Sequence, residues 1–193
     1  MDKDSQAVTA LLNHALDESG LSQAAFATAL RTSASRLSTY RSGRTKPTAQ
    51  FVLRAGRIAH ALHDAREHRI MTAPATATAI REASDDDWAW RMLLQGRDHL
   101  RLLLKRRDGS EAAWEAAPGT TLHTGFDTLL AALTAHEFKG AGEPPPDWTK
   151  VAPLPEPWIP DHPFLDHAQI IEQTPDHLAQ LNIFVPDRDL ATA

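Results

Sequence analysis

The sequence predicts an all-α protein in which an N-terminal domain of four or five helices precedes a C-terminal helical domain with a long extended segment. Apolar residues recur at helical spacing through residues 5–69 and again through residues 85–140. Residues 143–163 contain 8 of the 13 prolines, and proline is excluded from helix interiors, so this segment is expected to be extended. A short linker is expected between the two domains, at residues 71–84, and its end is compatible with a short helix.

The charge of the chain is divided unevenly between these parts. Residues 1–69 contain 10 Lys or Arg and 6 Asp or Glu, whereas residues 70–193 contain 10 and 19, which together give the net charge of −5. This asymmetry predicts two parts with different partners, residues 1–70 and residues 85–193.

Composition excludes several classes of protein. The 193 residues are 42% apolar and 23% charged, an ordinary globular balance, and they include no cysteine. Disulfides, a thiol nucleophile and a cysteine-ligated zinc site are therefore excluded. No apolar run approaches the roughly 18 residues of a membrane span, and the polar, acidic residues 1–4 do not resemble a secretory signal. We expect a cytoplasmic protein without a membrane partner.

Hydroxyl side chains mark the beginning of the N-terminal helices, because Ser and Thr accept backbone N–H bonds at the N-cap. A first helix is expected after Ser5, with apolar residues at Val8, Leu11, Leu12, Ala15 and Leu16, and it should end at Gly20. Three further helices are expected at 23–30 after Ser22, at 34–42 after Ser33, and from 49 onward after Thr48. The second and third of these four helices are short and are joined by a tight turn at residues 31–32, which is the arrangement of a helix-turn-helix.

The charge pattern of this segment is suited to a nucleic acid. Between residues 21 and 63 there is no Asp or Glu. The basic residues of the same interval are Arg31, Arg36, Arg41, Arg44, Lys46, Arg54 and Arg57. A solvated basic surface is the alternative explanation, but the outer face of the third helix carries small, hydrogen-bonding side chains that fit a major groove.

Three segments carry a resemblance to a known family. They are Ser-Gln-Ala-Ala-Phe-Ala at 22–27, Ser-Ala-Ser-Arg-Leu-Ser-Thr-Tyr at 33–40 and Gly-Arg-Thr-Lys-Pro-Thr at 43–48. Together they resemble the XRE/phage-repressor type of helix-turn-helix. The resemblance implies that the residues facing base edges are Ser33, Ala34, Ser35 and Thr39. It implies that the residues at the DNA backbone are Gln23, Arg36, Arg41, Arg44 and Lys46.

The sequence departs from that family in three respects. The usual turn glycine is Arg31, so a residue with a side chain must accept the turn geometry. A common acidic residue late in the third helix is Arg41, which removes an internal ion pair. The base-facing residues are unusually small, so sequence recognition is expected to depend on Arg36 and on the shape of the DNA.

The C-terminal part is expected to contain a helix from Asp85 to about Lys105, a helix capped by Thr124, a short helix beginning at 174–175 and a last turn capped by Asp187. All five tryptophans follow residue 87, and Trp148 and Trp158 lie in the proline-rich segment 143–163. These two rings either anchor the extended segment onto its own domain or form a surface that a partner protein covers.

No catalytic or metal-binding constellation is convincing. His60 and His63 have a helical spacing but lack a third ligand, and the pairs at 161–162 and 166–167 are read as surface residues. The acidic run at 85–87 is interpreted as helix capping. We therefore expect no enzyme, no metal and no cofactor.

The C-terminal half resembles, more diffusely, regulators that are encoded beside nucleotidyltransferase-like toxins. The resemblance rests on Trp88, Gly96-Arg97-Asp98, Trp114-Glu115-Ala116, Phe126-Asp127, Leu129-Leu130-Ala131-Ala132-Leu133, Trp148, Trp158 and Ile183-Phe184-Val185. It implies an antitoxin whose C-terminal half binds a cognate toxin protein. From the helix-turn-helix we expect a homodimer that binds an operator as a repressor. The alternative is a stand-alone regulator whose C-terminal domain binds a small ligand, for which tryptophans lining a cavity would be the sign.

Overall fold

The computed structural model describes residues 2–191, and these residues form an all-α fold, as predicted. The helices are α1 (Lys3–Ser19), α2 (Gln23–Ala29), α3 (Ala34–Arg41), α4 (Ala49–Glu67), α5 (Ala73–Arg81), α6 (Asp86–Arg106), α7 (Ala112–Glu115), α8 (Thr124–Gly140), α9 (His167–Glu172) and α10 (Asp176–Ala179). Two 3₁₀ turns, Asp147–Thr149 and Asp187–Leu190, and one isolated bridge complete the regular structure of this range. None of its helices is long and apolar enough to cross a membrane.

The chain forms two compact units, each assembled from two separated segments. Unit 1 contains the residues through Thr76 and the segment His99–Gly119, and unit 2 contains Ala77–Asp98 and the residues from Thr120 onward. These units differ from the division at 1–70, 71–84 and 85–193, because composition changes along the chain whereas packing joins distant segments. The three-part division stays a prediction about parts that fold independently.

Unit 1 is organised by the packing of α1 against α4. Leu12 and Ile58 are fully buried, as are Phe26 on α2 and Leu37 on α3. Helix α1 begins before the predicted position after Ser5, because the carboxylate of Asp2 accepts the Ser5 N–H at 2.7 Å and caps the helix.

Not every residue of the predicted α1 stripe is buried. Leu12, Ala15 and Leu16 are buried, but Leu11 is 56% exposed. The buried face of α1 is therefore narrower than the apolar pattern of the sequence.

The segment predicted to be a linker is mostly helical. Helix α5 buries Ala73, Thr76 and Ala77, and the hydroxyl of Thr72 accepts the Ala75 N–H at its beginning. A short helix near the end of this segment was allowed for by the sequence, but the extent of α5 was not. Alanine and threonine give little hydrophobic contrast, so the pattern indicated a linker where packing forms a helix.

A second layer of unit 1 comes from residues outside the N-terminal third. The indole N–H of the fully buried Trp114 donates to the Met71 carbonyl at 3.0 Å, and the Met71 N–H donates to His99 Nδ1 at 2.8 Å. The Ala117 N–H donates to the carbonyl of Ala29, the last residue of α2, at 3.0 Å. These bonds fix α7 and the residues after it to the helices that precede them in unit 1.

Unit 2 is organised around the predicted helix α8, which buries Phe126, Leu129, Leu130 and Leu133. Its N-cap is His123 and not Thr124. The Nδ1 atom of His123 accepts the Phe126 N–H at 3.3 Å, so the ring takes the place of the expected hydroxyl.

The proline-rich segment 143–163 is largely extended, as predicted, and backbone hydrogen bonds join it to the residues near 181–184. Trp158 N–H donates to the Asn182 carbonyl at 2.8 Å, and Phe184 N–H donates to the Trp158 carbonyl at 2.9 Å. The isolated bridge of Trp158 with Ile183 results from these two bonds. The segment is therefore ordered without being part of a sheet.

The C-terminal caps differ from the predicted ones. Helix α10 follows Pro175, and the hydroxyl of Thr174 donates instead to the Ile170 carbonyl at 2.7 Å. Asp187 is the first residue of the last 3₁₀ turn, which Pro186 precedes. The buried guanidinium of Arg97 donates to the Leu190 carbonyl and holds this turn within unit 2.

Candidate nucleic-acid interface

The turn between α2 and α3 is closed without a glycine. Arg31 has φ 54°, and its N–H donates to the Thr28 carbonyl at 2.8 Å, while Thr32 N–H donates to the Ala27 carbonyl at 2.9 Å. This is the Schellman arrangement, in which the residue after the C-cap takes the left-handed conformation. The side chain at Arg31 makes this conformation costly, by about 1–2 kcal/mol. The turn therefore forms with Arg31 in place of the family's usual glycine, at the cost of backbone strain.

Helix α3 is oriented by its cap and by two buried side chains. The hydroxyl of Ser33 accepts the Arg36 N–H at 3.1 Å, as expected of the predicted cap, and Leu37 and Tyr40 are buried. The side chains that do not lie on this buried face are accessible to solvent, and the exposed residues are Ser33, Ala34, Ser35 and Arg36. A short helix with one buried and one exposed face is what a major groove can accept.

The hydroxyls predicted to face base edges are held by local hydrogen bonds. Ser33 Oγ and Ser35 Oγ lie 3.0 Å apart, and the half-buried Thr39 donates its hydroxyl to the Arg36 carbonyl at 2.8 Å. Ala34 contributes only a methyl group. This face can thus offer hydroxyl acceptors and methyl contacts, but none of these four residues supplies a bidentate donor–acceptor pair.

Arg36 is held along the exposed side of α3 by aromatic residues. Its Nε donates to the Tyr40 hydroxyl at 2.8 Å, and its guanidinium carbon lies 5.8 Å from the centroid of that ring. Tyr40 packs edge-on against Phe51 of α4, with centroids 5.1 Å apart. With Nε engaged, the two terminal amino groups of Arg36 are those that can reach a phosphate or a base.

Gln23 and Arg41 are engaged inside the domain. Arg41 Nε donates to Asn13 Oδ1 at 2.7 Å, and one of its terminal amino groups donates to Gln23 Oε1. Gln23 Nε2 is 3.4 Å from the Ala34 carbonyl. Arg41 therefore joins α3 to α1 and α2 through neutral acceptors and not through an ion pair.

Arg44 and Lys46 lie in the exposed loop after α3. Arg44 Nε donates to Ser42 Oγ at 3.1 Å, and Lys46 Nζ lies 3.3 Å from Asp2 Oδ2. The backbone N–H and hydroxyl of Ser5, followed by Lys46, lower the pKa of Asp2 to about 2, so this carboxylate is ionised near neutral pH. A phosphate that binds Lys46 must therefore compete with an exposed, weakly held carboxylate.

The positive charge of residues 21–63 is partly compensated by an acid from beyond that interval. Arg57 forms a bidentate pair with Glu115, at 2.9 and 2.7 Å. Burial raises the pKa of Glu115, an effect that outweighs the attraction of Arg57 and Arg54. Arg57 is thus neutralised within unit 1. The positive charge available to a phosphate therefore comes chiefly from the exposed basic residues around α3, and not from all seven basic residues of the interval.

The other candidate residues form no metal site. Within residues 2–191 no group of three or more His, Asp or Glu could hold a metal ion. His60 lies 3.0 Å from Glu18 and 3.3 Å from Asp64, and His63 faces Arg66 at 3.0 Å. Asp85 is a helix cap, which accepts the Trp88 N–H at 2.8 Å.

The two tryptophans of the proline-rich segment are both half-buried. Trp158 packs on Phe126, with ring centroids 5.2 Å apart, and Trp148 lies in the 3₁₀ turn Asp147–Thr149. The packing of Trp158 agrees with an anchoring role in its own domain. Its predicted role, and that of Trp148, in binding a partner stays a prediction.

Comparison with known proteins supports the class of the N-terminal part. A family model described as a helix-turn-helix domain matches residues 8–69. No curated protein and no solved structure gives a match to the chain. The matched range includes α2, the turn at Arg31, α3 and all of α4. The protein therefore carries a helix-turn-helix domain, which suggests a DNA-binding regulator.

Proposed function

We propose that the protein is a sequence-specific transcriptional regulator that inserts α3 into the major groove of an operator. The observation that carries the proposal is the exposed face of α3, which consists of small polar residues and Arg36 on a helix capped by Ser33 and fixed by Leu37 and Tyr40. Residues Ser33, Ala34, Ser35 and Thr39 face base edges in this proposal.

The DNA backbone is bound chiefly by Arg36, Arg44 and Lys46, whose side chains are exposed. Gln23 and Arg41 contribute by holding α2 and α3 together. In this proposal Gln23, at the beginning of α2, also binds a phosphate together with the helix N-terminus. The regulator acts in the cytoplasm as a homodimer and represses transcription. Its two copies of α3 are spaced for half-sites about one helical turn, roughly 34 Å, apart.

The experiment uses the full chain and a duplex selected from a random pool by that chain. Arg36→Ala and Lys46→Ala are expected to weaken binding on every sequence and to reduce the log–log salt slope by about 0.9 for each lost phosphate contact. Lys139→Ala, which removes an exposed lysine of unit 2, is the control and should leave both quantities unchanged.

A second set of variants tests the base contacts. Ser35→Ala and Thr39→Ala should change the preferred base at single positions, by about 1–3 kcal/mol for a direct contact. Binding that is unchanged by both sets of variants would refute the placement of α3 in the groove.

The antitoxin role is the finer form of this proposal. It is supported by the excess of acidic residues after residue 70 and by the resemblance of the C-terminal half to toxin-associated regulators. In this form unit 2 binds the toxin encoded beside this chain. Growth arrest by the neighbouring gene product alone, relieved by a complex that co-purifies with this chain, is the expected result; a neighbour that neither arrests growth nor co-purifies would refute it.

A cavity in unit 2 favours the alternative, in which this unit binds a small molecule. The cavity has a volume of about 890 Å³, and Trp90 and Trp158 line it. Tryptophan-lined walls were the expected sign of a ligand-binding regulator, and this volume lies in the range of about 300–1,000 Å³ that small-molecule sites occupy.

A further inference from the structure

The cavity of unit 2 combines aromatic walls with an acidic border. Its aromatic side chains are Trp90, Phe126, Trp158, Phe164 and Phe184. Its acidic residues are Asp85, Asp86, Asp87, Asp161 and Asp189, and Arg188 is the one Lys or Arg among the lining residues that the structure describes. These segments are far apart in sequence, so the combination is created by folding.

The side chains that form the walls of the cavity are held in place by ring packing and hydrogen bonds. Trp158 packs edge-on against Phe126, with ring centroids 5.2 Å apart, and its centroid lies 5.3 Å from that of the tilted His123 ring. Gly125 leaves the space that the indole occupies. His162 Nδ1 accepts the N–H groups of Phe164 and Leu165 at 3.0 and 2.8 Å, so its Nε2 is the donor toward Asp189, 3.2 Å away. These contacts fix the loop that forms one side of the opening.

One large apolar side chain of this border is left in solvent. Phe164 is 86% exposed, although it lies on the cavity and is only 6.2 Å from the ring of His162. An exposed aromatic ring at the mouth of a cavity gains apolar contact when the cavity is filled.

The charge of the residues at the cavity border determines which charge a ligand can carry. Asp85 is kept ionised because the Trp88 N–H and the Ser84 hydroxyl lower its pKa. The positive end of α6 offsets only about half a unit charge, and Arg188 lies 3.7 Å from Asp189. Arg91 also attracts the carboxylate of Asp85. Five carboxylates against these two guanidinium groups still leave the border of the cavity negative, so it disfavours anions.

The absence of a metal-binding group among residues 2–191 argues against a bare metal ion, which needs several converging ligands. An organic cation is different, because its charge is spread over an apolar body that can lie on aromatic faces. We propose that this cavity is a binding site for an amphiphilic organic cation, such as a hydrophobic amine or a quaternary ammonium or phosphonium compound. The site is assigned to unit 2 alone and does not depend on the DNA-binding role of α3.

The test compares two probes of matched size and opposite charge, tetraphenylphosphonium and tetraphenylborate. Each is titrated into the full chain without DNA, by calorimetry and by tryptophan fluorescence. Tetraphenylphosphonium is expected to bind and to change the fluorescence. Tetraphenylborate should bind at least about tenfold more weakly, a difference of about 1.4 kcal/mol in binding free energy, because the acidic border repels its negative charge. Equal binding of the two probes, or no binding of the cation, would overturn the proposal.

Variants locate the bound probe. Asp86→Asn, Asp87→Asn and Asp161→Asn together remove three charges from the border while keeping the side-chain shape, and should weaken binding of the cation severalfold. The matched control changes three exposed acids outside the cavity, as Asp4→Asn, Asp17→Asn and Glu172→Gln, and should not affect binding. Equal weakening in both triple variants would indicate only a general charge effect and would contradict the assignment.

A single aromatic variant avoids the risk of misfolding. Phe164→Ala removes an exposed ring, so circular dichroism and thermal unfolding should be unchanged. Loss of one cation–π contact is expected to weaken tetraphenylphosphonium binding about two- to fivefold. If Phe164→Ala and the triple variant both bind the cation as the wild type does, the probe lies elsewhere and the proposal is wrong.

Discussion

The two units reach an ordered structure by different means. In unit 1, hydroxyl caps at Ser22, Ser33 and Thr48 begin three successive helices, and each helix buries one face. In unit 2, much of the order is irregular: Trp158 packs on α8, and backbone bonds join segment 143–163 to residues near 181–184. The order of unit 1 is determined by residues close together in sequence, whereas that of unit 2 depends on contacts between residues far apart in sequence.

This difference predicts that unit 2 is sensitive to the fit of single side chains. The largest effect is expected for Gly125→Ala, because a Cβ at this residue would lie 2.6 Å from Cε2 and 2.7 Å from Cε3 of Trp158. Overpacking of this kind costs about 1–3 kcal/mol of unfolding free energy. Chemical denaturation should show the loss, together with a change in tryptophan fluorescence.

Gly140→Ala is the matched control in the same helix. A Cβ at residue 140 would meet nothing within 4 Å, so this variant should unfold at the wild-type denaturant concentration or higher. Equal stability of the two variants would mean that the Trp158 contact does not constrain unit 2.

The order of unit 1 contains a different weakness, which lies in its turns. Arg31 and Arg69 both follow a helix C-cap with φ 54°. Replacing either by glycine relieves the left-handed strain but increases the freedom of the unfolded chain, so we expect a net gain of about 0.5–1 kcal/mol for each. Thermal unfolding measures this gain.

The two arginines serve as controls for one another. Arg31 lies beside α3, whereas Arg69 follows α4. Similar gains for both variants would identify backbone strain as the cause. A gain at Arg69 without one at Arg31 would show that the Arg31 side chain stabilises the domain by more than its conformation costs.

The extent of successful sequence prediction follows the same contrast. The caps Ser22, Ser33 and Thr48 and the position of the turn at Arg31 depend on residues less than about ten positions apart, and the sequence pattern predicts them. The predicted caps of α1 and α8 are wrong by one to three residues. The pairing of Arg57 with Glu115 joins residues 58 positions apart, and no local pattern indicates it. The extent of helix α5 is not predicted for a related reason, because its small side chains are buried without an apolar stripe. The cavity could not be predicted at all, since its walls come from separate segments.

The two units should also respond to pH in opposite directions. In unit 2, burial lowers the pKa of His177, whose ring stacks on His136 with centroids 4.3 Å apart and whose Nε2 is buried without a hydrogen-bond partner among the described residues. Its folded-state pKa is below the unfolded value of about 6.5, so the unfolded chain binds the proton first. Stability is therefore complete above about pH 6.5 and falls as the pH is lowered through this window.

His177→Gln removes that proton and should flatten the loss of thermal stability between about pH 7.5 and pH 5. An unchanged slope would mean that His177 is not the group that titrates. His167→Gln, at an exposed position in the same unit, is the control and should keep the wild-type slope.

The smallest effect is expected at His60 in unit 1, where the sign is reversed. The hydrogen bond to Glu18 and the charge of Asp64 raise the pKa of this ring. Its contribution to stability is complete below the unfolded pKa of about 6.5 and is lost as the pH rises through the higher folded value. Because the side chain is 68% exposed, solvent screening limits the gain to the range of a surface ion pair, about 0–1 kcal/mol. His60→Gln should therefore lower thermal stability slightly at pH 5.5 and not at pH 8, and an equal loss at both values would assign the effect to packing and not to charge.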